Sequence, residues 1–258
     1  MNEISLYILT YNSEQYLSKI LDKLKNVVDE ILIVDSGSSD STQQIVERYK
    51  NTRFIFNKFE NFKQQRMFAE KNCKFDMILF LDSDELPCDQ LVESIRNIKK
   101  SGFEHHAYRI ARYWNVLQKD VRAIYPICSP DHPIKLYNRK FCSFKNSALN
   151  HASPSGYLSQ SIVKGKLSHF TFETKKILKN KVEHYSDMDA KELIRKGKKS
   201  NNLKIIFNPV GAFVKWYLIK GGYKDGITGI HLGKYAYDYT KKKYLKAKNY
   251  RKNFHTHK

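Results

Sequence analysis

With 258 residues, 41% of them hydrophobic and 28% charged, the chain is long and apolar enough to bury a substantial core, and a wholly disordered protein is excluded. Its 11 Gly and 6 Pro are too few for a collagen-like or low-complexity chain. The formal net charge is +20, and the whole excess lies in the second half: residues 1–130 carry 18 basic and 18 acidic side chains, residues 131–258 carry 28 and 8.

The first hundred residues alternate strand and helix patterns. Ile4–Leu9 is a short apolar run that ends at Thr10-Tyr11-Asn12. Ser13 is placed to cap a helix whose apolar positions Leu17, Leu21, Leu24 and Val28 follow a helical period. Ile31–Val34 reads as a second buried strand, ended by the polar run Asp35 to Asp40, and helix signals resume from Ser41 to Tyr49. Arg53–Phe56 reads as a third strand, Phe62–Asn72 as helix, and Met77–Leu81 as a fourth strand, ended by Asp82-Ser83-Asp84-Glu85. Pro87 is expected to open the next helix, to about Lys100. Continuous apolar strands separated by helices predict an α/β fold with a parallel sheet covered on both faces. Ligands bind such sheets beyond the carboxyl ends of the strands, where the three polar clusters converge.

From Tyr108 to about His169 strand-like runs alternate with proline-containing loops, and from Glu173 onward the chain reads as helical and very basic. Gly221-Gly222 and Gly226 predict a break between two helices, with Asp225 capping the second. Four separated cysteines without a C-x-x-C pair read as free thiols in a reducing compartment. The N-terminal run lacks the features of a signal peptide, and no stretch reaches the ~20 apolar residues of a spanning helix. The expectation is a soluble or peripheral protein.

Asp82-Ser83-Asp84 is the sharpest chemical signal. Two carboxylates flanking one residue just past a buried strand suit Mg²⁺ or Mn²⁺, which prefer carboxylate oxygens and substrate phosphates. Asp35, at another strand end, suits a nucleobase or ribose, and the Gly37-Ser38-Ser39 turn allows close backbone approach to a ligand. Asp40 reads as a helix cap.

ILTYN, IVDSGSSDST, NFKQQRMFAEKNC and MILFLDSDE, in this order, resemble a family 2 glycosyltransferase of the GT-A fold. DHPIKLYNRK, KLSHF, KVEHYSD and KWYLIKGGYKDGITG resemble segments of bacterial lipopolysaccharide and lipooligosaccharide inner-core β-1,4-glucosyltransferases. The resemblance implies a Rossmann-like nucleotide-diphospho-sugar transferase domain over residues 1–170 and a basic helical extension over residues 171–258. It implies that Thr10, Tyr11 and Asn12 line the nucleotide pocket, that Asp35 binds uracil or ribose, and that Gln65 and Arg66 lie near the nucleotide-sugar. Asp82, with Ser83, would meet ribose and metal, and Asp84 would be the main metal ligand. Glu85 would orient Asp84 or contact the sugar, and His169 would add a metal or diphosphate contact. The implied cofactors are Mg²⁺ or Mn²⁺ and a UDP-sugar donor, and the implied acceptor is a glycan or lipid-linked saccharide.

One position departs from the resemblance. Where the subgroup carries His-Glu, with the Glu as natural catalytic base, this chain has His151-Ala152. An inverting transferase needs a base beside the acceptor hydroxyl. Asp131 or His151 supplies it, or the alignment slips, or the chain binds nucleotide-sugars without turnover. A phosphatase using Asp82 as nucleophile is a weaker rival, since two β-α units precede that motif here.

Lys175 to Lys204 contains ten basic residues against four acidic ones, and Lys241 to Lys258 contains eight against none. Aromatic residues interleave throughout. This composition predicts engagement of an anionic membrane surface from the cytoplasmic side. Nucleic acid is disfavoured, because no recognised nucleic-acid-binding motif is present.

Overall fold

The computed structural model describes residues 2–147, 152–198 and 200–256. The chain forms two compact units: residues up to Arg112 together with His132–His169, and Tyr113–Asp131 together with Phe170 onward.

The first unit begins as the sequence predicts. Strands β1 (Ile4–Thr10), β2 (Glu30–Asp35), β3 (Thr52–Phe56) and β4 (Met77–Asp82) alternate with helices α1 (Glu14–Leu24), α2 (Thr42–Val46) and α3 (Phe62–Asn72). The strands lie in the order β3-β2-β1-β4, all parallel. Then come β5 (Glu85–Pro87), α4 (Asp89–Ser101), β6 (Ala107–Val116), the two-residue strands β7 (Lys119–Asp120), β8 (Ala123–Ile124) and β9 (Ile127–Cys128), then β10 (Ile134–Asn138) and β11 (Gln160–Phe172). Beyond β4 the sheet continues in the order β10-β6-β11-β5, with β10 antiparallel to both β4 and β6, β5 antiparallel to β11, and β7 antiparallel to β6. Strands β6 and β11 each pass from the first unit into the second.

The apolar runs form strands because both faces of the sheet are covered. Ile4, Leu6 and Ile8 of β1 and Leu79 and Leu81 of β4 join one core cluster with Leu17, Ile20, Leu21 and Leu24 of α1 and Leu91 and Ile95 of α4. Their neighbours Tyr7, Ile78 and Phe80 point to the other face, beside Ala69 of α3, Tyr137 and Phe144. There Tyr7 stacks on Phe80 at 5.5 Å between ring centroids, and Tyr137 and Phe144 meet the same ring edge-on at 6.0 and 5.8 Å. Each of these fully buried side chains contributes about 1.5–3 kcal/mol by leaving water.

Two local expectations change. Ser13 does not cap α1: its hydroxyl accepts from Tyr11 N and donates to Ser83, while Asp40 Oδ2 accepts from Glu14 N. Asp40 Oδ1 also accepts from Thr42 N, so one carboxylate serves the starts of two helices. Pro87 ends a strand rather than opening a helix, because β5 pairs with β11 up to Pro87↔Leu167 and α4 starts two residues later.

The second unit is helical, with α5 (Lys175–Arg195), α6 (Asn202–Phe213), a π-helical turn Val214–Ile219, a short 3₁₀ turn Gly222–Asp225, and α7 (Ile227–Thr256). Trp114, Val116, Phe172, Leu178, Val182, Leu232, Tyr235 and Tyr239 form its main core, and Ala123, Ala212, Trp216 and Ala236 a smaller one. The glycine-marked helix break is present. A Cβ at Gly229 would stand 1.8 Å from the carbonyl oxygen of Gly222, so only glycine lets α7 pass the break this closely. Asp225 holds the β7–β8 connection by accepting from Arg122 N at 2.9 Å, rather than acting as the cap of α7. No described helix is long and apolar enough to cross a membrane.

Candidate functional site

Strand register brings the polar clusters together. Thr10 lies opposite Asp35 across β1 and β2, and Leu9 lies opposite Asp82 across β1 and β4, so all three strands end on one sheet edge.

At this edge Asp35 is almost completely buried, at 3% exposure, and saturated with donors. Its Oδ1 accepts from the hydroxyls of Thr10 (2.7 Å) and Ser38 (2.5 Å), and its Oδ2 accepts from the amides of Gly37 (2.8 Å) and Ser38 (2.7 Å). Burial alone would raise the carboxyl pKa, but these hydrogen bonds outweigh it and hold the pKa below the usual carboxylate range. Four donors fill the lone-pair directions of the carboxylate. In this conformation Asp35 fastens the loop rather than presenting a free acceptor.

Asn12 joins the same structure with φ of +49°, a left-handed conformation that Asn tolerates. It donates its amide to Ser38 Oγ and accepts from Ser39 N, both at 2.8 Å. The β1 and β2 loops are thereby tied together, leaving Tyr11 64% exposed above them. Gln65 is buried and donates to Ser36 Oγ and Asn57 O while accepting from Asn57 Nδ2, so α3 fixes the loops after β2 and β3.

Beside this nest lies a buried network of charges. Arg66 Nη2 donates to Asp82 Oδ1 at 2.7 Å, and Lys135 Nζ stands 3.5 Å from Asp82 Oδ2. Lys135 also donates to Glu85 Oε2 at 2.5 Å, and Arg112 to Glu85 Oε1 at 2.8 Å. The amide of Asp82 donates to Glu85 Oε2 at 3.0 Å, closing the turn. Both Arg66 and Lys135 lie over the Phe80 ring, at 4.5 and 4.6 Å from its centroid. Burial would favour a neutral Asp82, but Arg66, Lys135, Arg112 and His169 together hold its carboxyl far below the usual range.

Glu85 has no exposure, and both its oxygens are engaged by cations inside the protein. Of its two expected roles, orienting Asp84 or contacting the sugar, this bonding supports the first, with Glu85 bracing the Asp82–Asp84 turn from inside. Lys135 and Arg112, which hold it, were not singled out from the sequence. The available signal was a lysine in the middle of the apolar strand Ile134-Lys135-Leu136-Tyr137, a costly placement unless the charge is paired.

Asp84 has a different environment. Its Oδ1 lies 3.1 Å from His169 Nε2, with the carboxylate side chain 31% exposed. Pairing of β11 with β5 sets His169 opposite Glu85, directly beside Asp84. The preceding stretch of β11 requires Gly165, whose φ is +100° and whose added Cβ would stand 2.4 Å from Leu91 N. Ser83, between the two aspartates, accepts from Ser13 Oγ at 2.8 Å.

Of the proposed bases, Asp131 belongs to the second unit, where it accepts from Trp114 Nε1 at 2.9 Å. His151 lies outside the described residues.

Comparison with known proteins agrees with this arrangement. Residues 5–104, which contain β1 from its second residue, β2 to β4 and all three edge clusters, match the family described as Glycosyl transferase family 2. The chain is 28% identical over 243 residues to an uncharacterized glycosyltransferase of Rickettsia typhi, covering 89% of this chain and 81% of the relative. The family match thus covers the first hundred residues of the chain, those that carry the three edge clusters. The chain is also 27% identical over 239 residues to the lipopolysaccharide core biosynthesis glycosyltransferase LpsC of Rhizobium meliloti, covering 88% of this chain and 84% of LpsC. Its fold is GT-A. It superposes on residues 1–349 of Staphylococcus aureus TarS in complex with UDP-GlcNAc with a TM-score of 0.51 at 16% identity, covering 97% of this chain and 92% of that one. It superposes on glucosyl-3-phosphoglycerate synthase of Mycobacterium tuberculosis in complex with phosphoglyceric acid with a TM-score of 0.51 at 15% identity, covering 76% and 81%.

The donor set at the edge fits a divalent cation only in part. Among the described residues no group of three or more His, Cys, Asp or Glu side chains is arranged to hold a metal. Asp84 and His169 offer one carboxylate and one imidazole, whereas Asp82 is engaged by Arg66 and Lys135. Two protein ligands suit Mg²⁺ or Mn²⁺, which commonly complete their shells with water and substrate phosphate.

Proposed function

We propose that this transferase moves a hexose, glucose in our reading, from a UDP-sugar to a lipopolysaccharide or lipooligosaccharide core, or a related glycan acceptor, with inversion at the anomeric carbon. The observation that carries the donor half is the pairing of a partly exposed Asp84 with His169 beside the fastened Asp35 loop. LpsC, by its name a lipopolysaccharide core transferase, supports the acceptor class. Domain roles follow the same reading, with residues 1–170 catalytic and 171–258 engaging acceptor and membrane at the cytoplasmic face.

In this reading the nucleoside lies on the Thr10–Asn12 and Asp35–Ser39 loops, with Tyr11 against the base. Gln65 keeps those loops in place. Asp84 and His169 would hold Mg²⁺ or Mn²⁺, which when bound would supply positive charge for the leaving diphosphate. Arg66 and Lys135 keep Asp82 ionised and add positive potential at the same edge. The acceptor hydroxyl attacks from the face opposite the diphosphate, and Asp131 or His151 takes its proton.

Calorimetric titration of UDP-sugars and GDP-sugars, with Mn²⁺ and with EDTA, tests the donor half on the parent chain and on Asp84→Ala. Metal-dependent binding of a UDP-sugar that is lost in Asp84→Ala is expected. Absence of binding to any nucleotide-sugar overturns the reading. Ala152 in place of Glu favours one second reading, a protein that binds nucleotide-sugar without turnover. Sugar transfer abolished by Asp131→Asn or His151→Ala, with donor binding retained, would rule that reading out.

A further inference from the structure

The second unit carries an apolar face that none of its described residues covers. Leu203, Ile206, Phe207 and Val210 of α6, then Val214 and Leu218 of the π-helical turn, are 62, 59, 65, 50, 38 and 52% exposed. They recur at three- and four-residue spacing, so they line one side of a continuous helical segment about 27 Å long. The opposite side is the packed one: Pro209, Ala212 and Trp216 are buried, and Ala212 and Trp216 join the small core with Ala123 and Ala236. The exposed apolar run continues at Ile219 (74%), Tyr223 (50%) and Ile227 (74%). Such a face on a water-soluble surface marks an interaction site.

The charges identify the occupant. From Leu193 to Lys224 the chain has no acidic residue and eight basic ones. Lys204 and Lys215 are eleven residues apart, three helical turns, and so flank the stripe on the same side. A second copy of this chain would bring another +20 charge against the same lysines. A bilayer with anionic headgroups satisfies both features, since its acyl boundary takes the apolar stripe and its phosphates take the lysines. The segment carries Lys204 and Lys215, its stripe covers only one side, and no described helix is long and apolar enough to span a bilayer, so it lies in the interface plane.

We infer that α6 and its π-helical turn, Asn202–Ile219, form an in-plane membrane anchor that embeds Leu203, Phe207, Val210, Val214 and Leu218 in the cytoplasmic leaflet. This deepens the reading of a membrane-side acceptor by naming the element that makes the contact. Its binding is measured without donor or acceptor, so its failure is distinct from failure of the transfer reaction.

The test is co-sedimentation of the full chain with vesicles of phosphatidylglycerol and phosphatidylcholine, and with phosphatidylcholine alone. Binding to the anionic vesicles is expected, with at least tenfold loss in the double variant Phe207→Glu, Leu218→Glu. Both positions are exposed, so far-UV circular dichroism is expected to be unchanged. Lys215→Gln and Lys220→Gln are each expected to weaken binding to anionic vesicles by about fivefold without affecting the neutral ones. A second readout does not depend on the loss of binding: Leu218→Trp fluorescence is expected to be quenched by brominated lipid beyond the parent's. Equal vesicle binding by the parent and the double variant overturns the proposal, as does an unquenched Leu218→Trp. So does a dimer in light scattering that the double variant converts to monomer.

Discussion

Lys135 Nζ and Glu85 Oε2 lie 2.5 Å apart with both side chains essentially out of water. The pair sits beneath the Asp82–Asp84 turn, and Glu85 also receives Arg112 and the amide of Asp82. Removing either side chain leaves the other buried charge one partner short, and breaking a buried pair costs up to about 3–5 kcal/mol. Lys135→Met and Glu85→Gln are each expected to lower stability by about that much in urea unfolding. The double variant should cost less than the sum of the two, because it removes both charges together. Additive losses would show that the two side chains act independently.

The residues of this network show where the sequence was legible and where it was not. Strands β1, β2 and β4 were readable because each is a short apolar run bounded by polar residues, and both sheet faces are buried. The convergence of Thr10, Asp35 and Asp82 followed from parallel topology alone. Lys135 and Arg112 were not readable, since their roles depend on β10 pairing with β4 and on β6 passing near β5, pairings distant in the sequence. The buried state of Glu85 depends on the same contacts. Asp40 displaced Ser13 as the cap of α1 because a residue 26 positions away reaches Glu14 N, which no local pattern announces.

Asp82 makes stability depend on pH. Its folded pKa is depressed, against the cost of burial, by Arg66, Lys135, Arg112 and His169, so the folded state favours the charged form. The resulting stabilisation is fully present above the unfolded carboxyl value of roughly 4 and is lost as pH falls through the folded value. Asp82→Asn is therefore expected to be less stable than the parent at neutral pH. The difference should narrow as pH falls below about 4. Urea midpoints measured from pH 7 to pH 2.5 check this, and a pH-independent difference would contradict it.

Asp35→Ala removes the acceptor for four donors at once and leaves the Gly37 and Ser38 amides without their partner. The loop that ties β1 to β2 should loosen, and nucleotide affinity should fall by about 10- to 100-fold, since unpaired buried donors cost about 1–3 kcal/mol. Asp35→Asn should fall between, because its amide oxygen can still accept from two donors while its NH₂ cannot. Calorimetry with UDP reads the affinity, and backbone amide exchange at Gly37 and Ser38 separates loop loosening from a lost ligand contact.

Asp84 and His169 are 3.1 Å apart, and their roles separate through the metal dependence of turnover. If both ligate the cation, His169→Ala should raise the Mn²⁺ concentration needed for half-maximal activity by about 10- to 100-fold, and saturating Mn²⁺ should restore much of the rate. Asp84→Ala should lose activity that added Mn²⁺ does not restore, because the carboxylate supplies charge as well as a ligand atom. If His169 instead only orients Asp84, its alanine variant should lower the rate at every Mn²⁺ concentration and leave the half-maximal point in place. The Mn²⁺ titration of His169→Ala thus decides between a ligand and a positioning residue, with the parent titrated alongside as the reference.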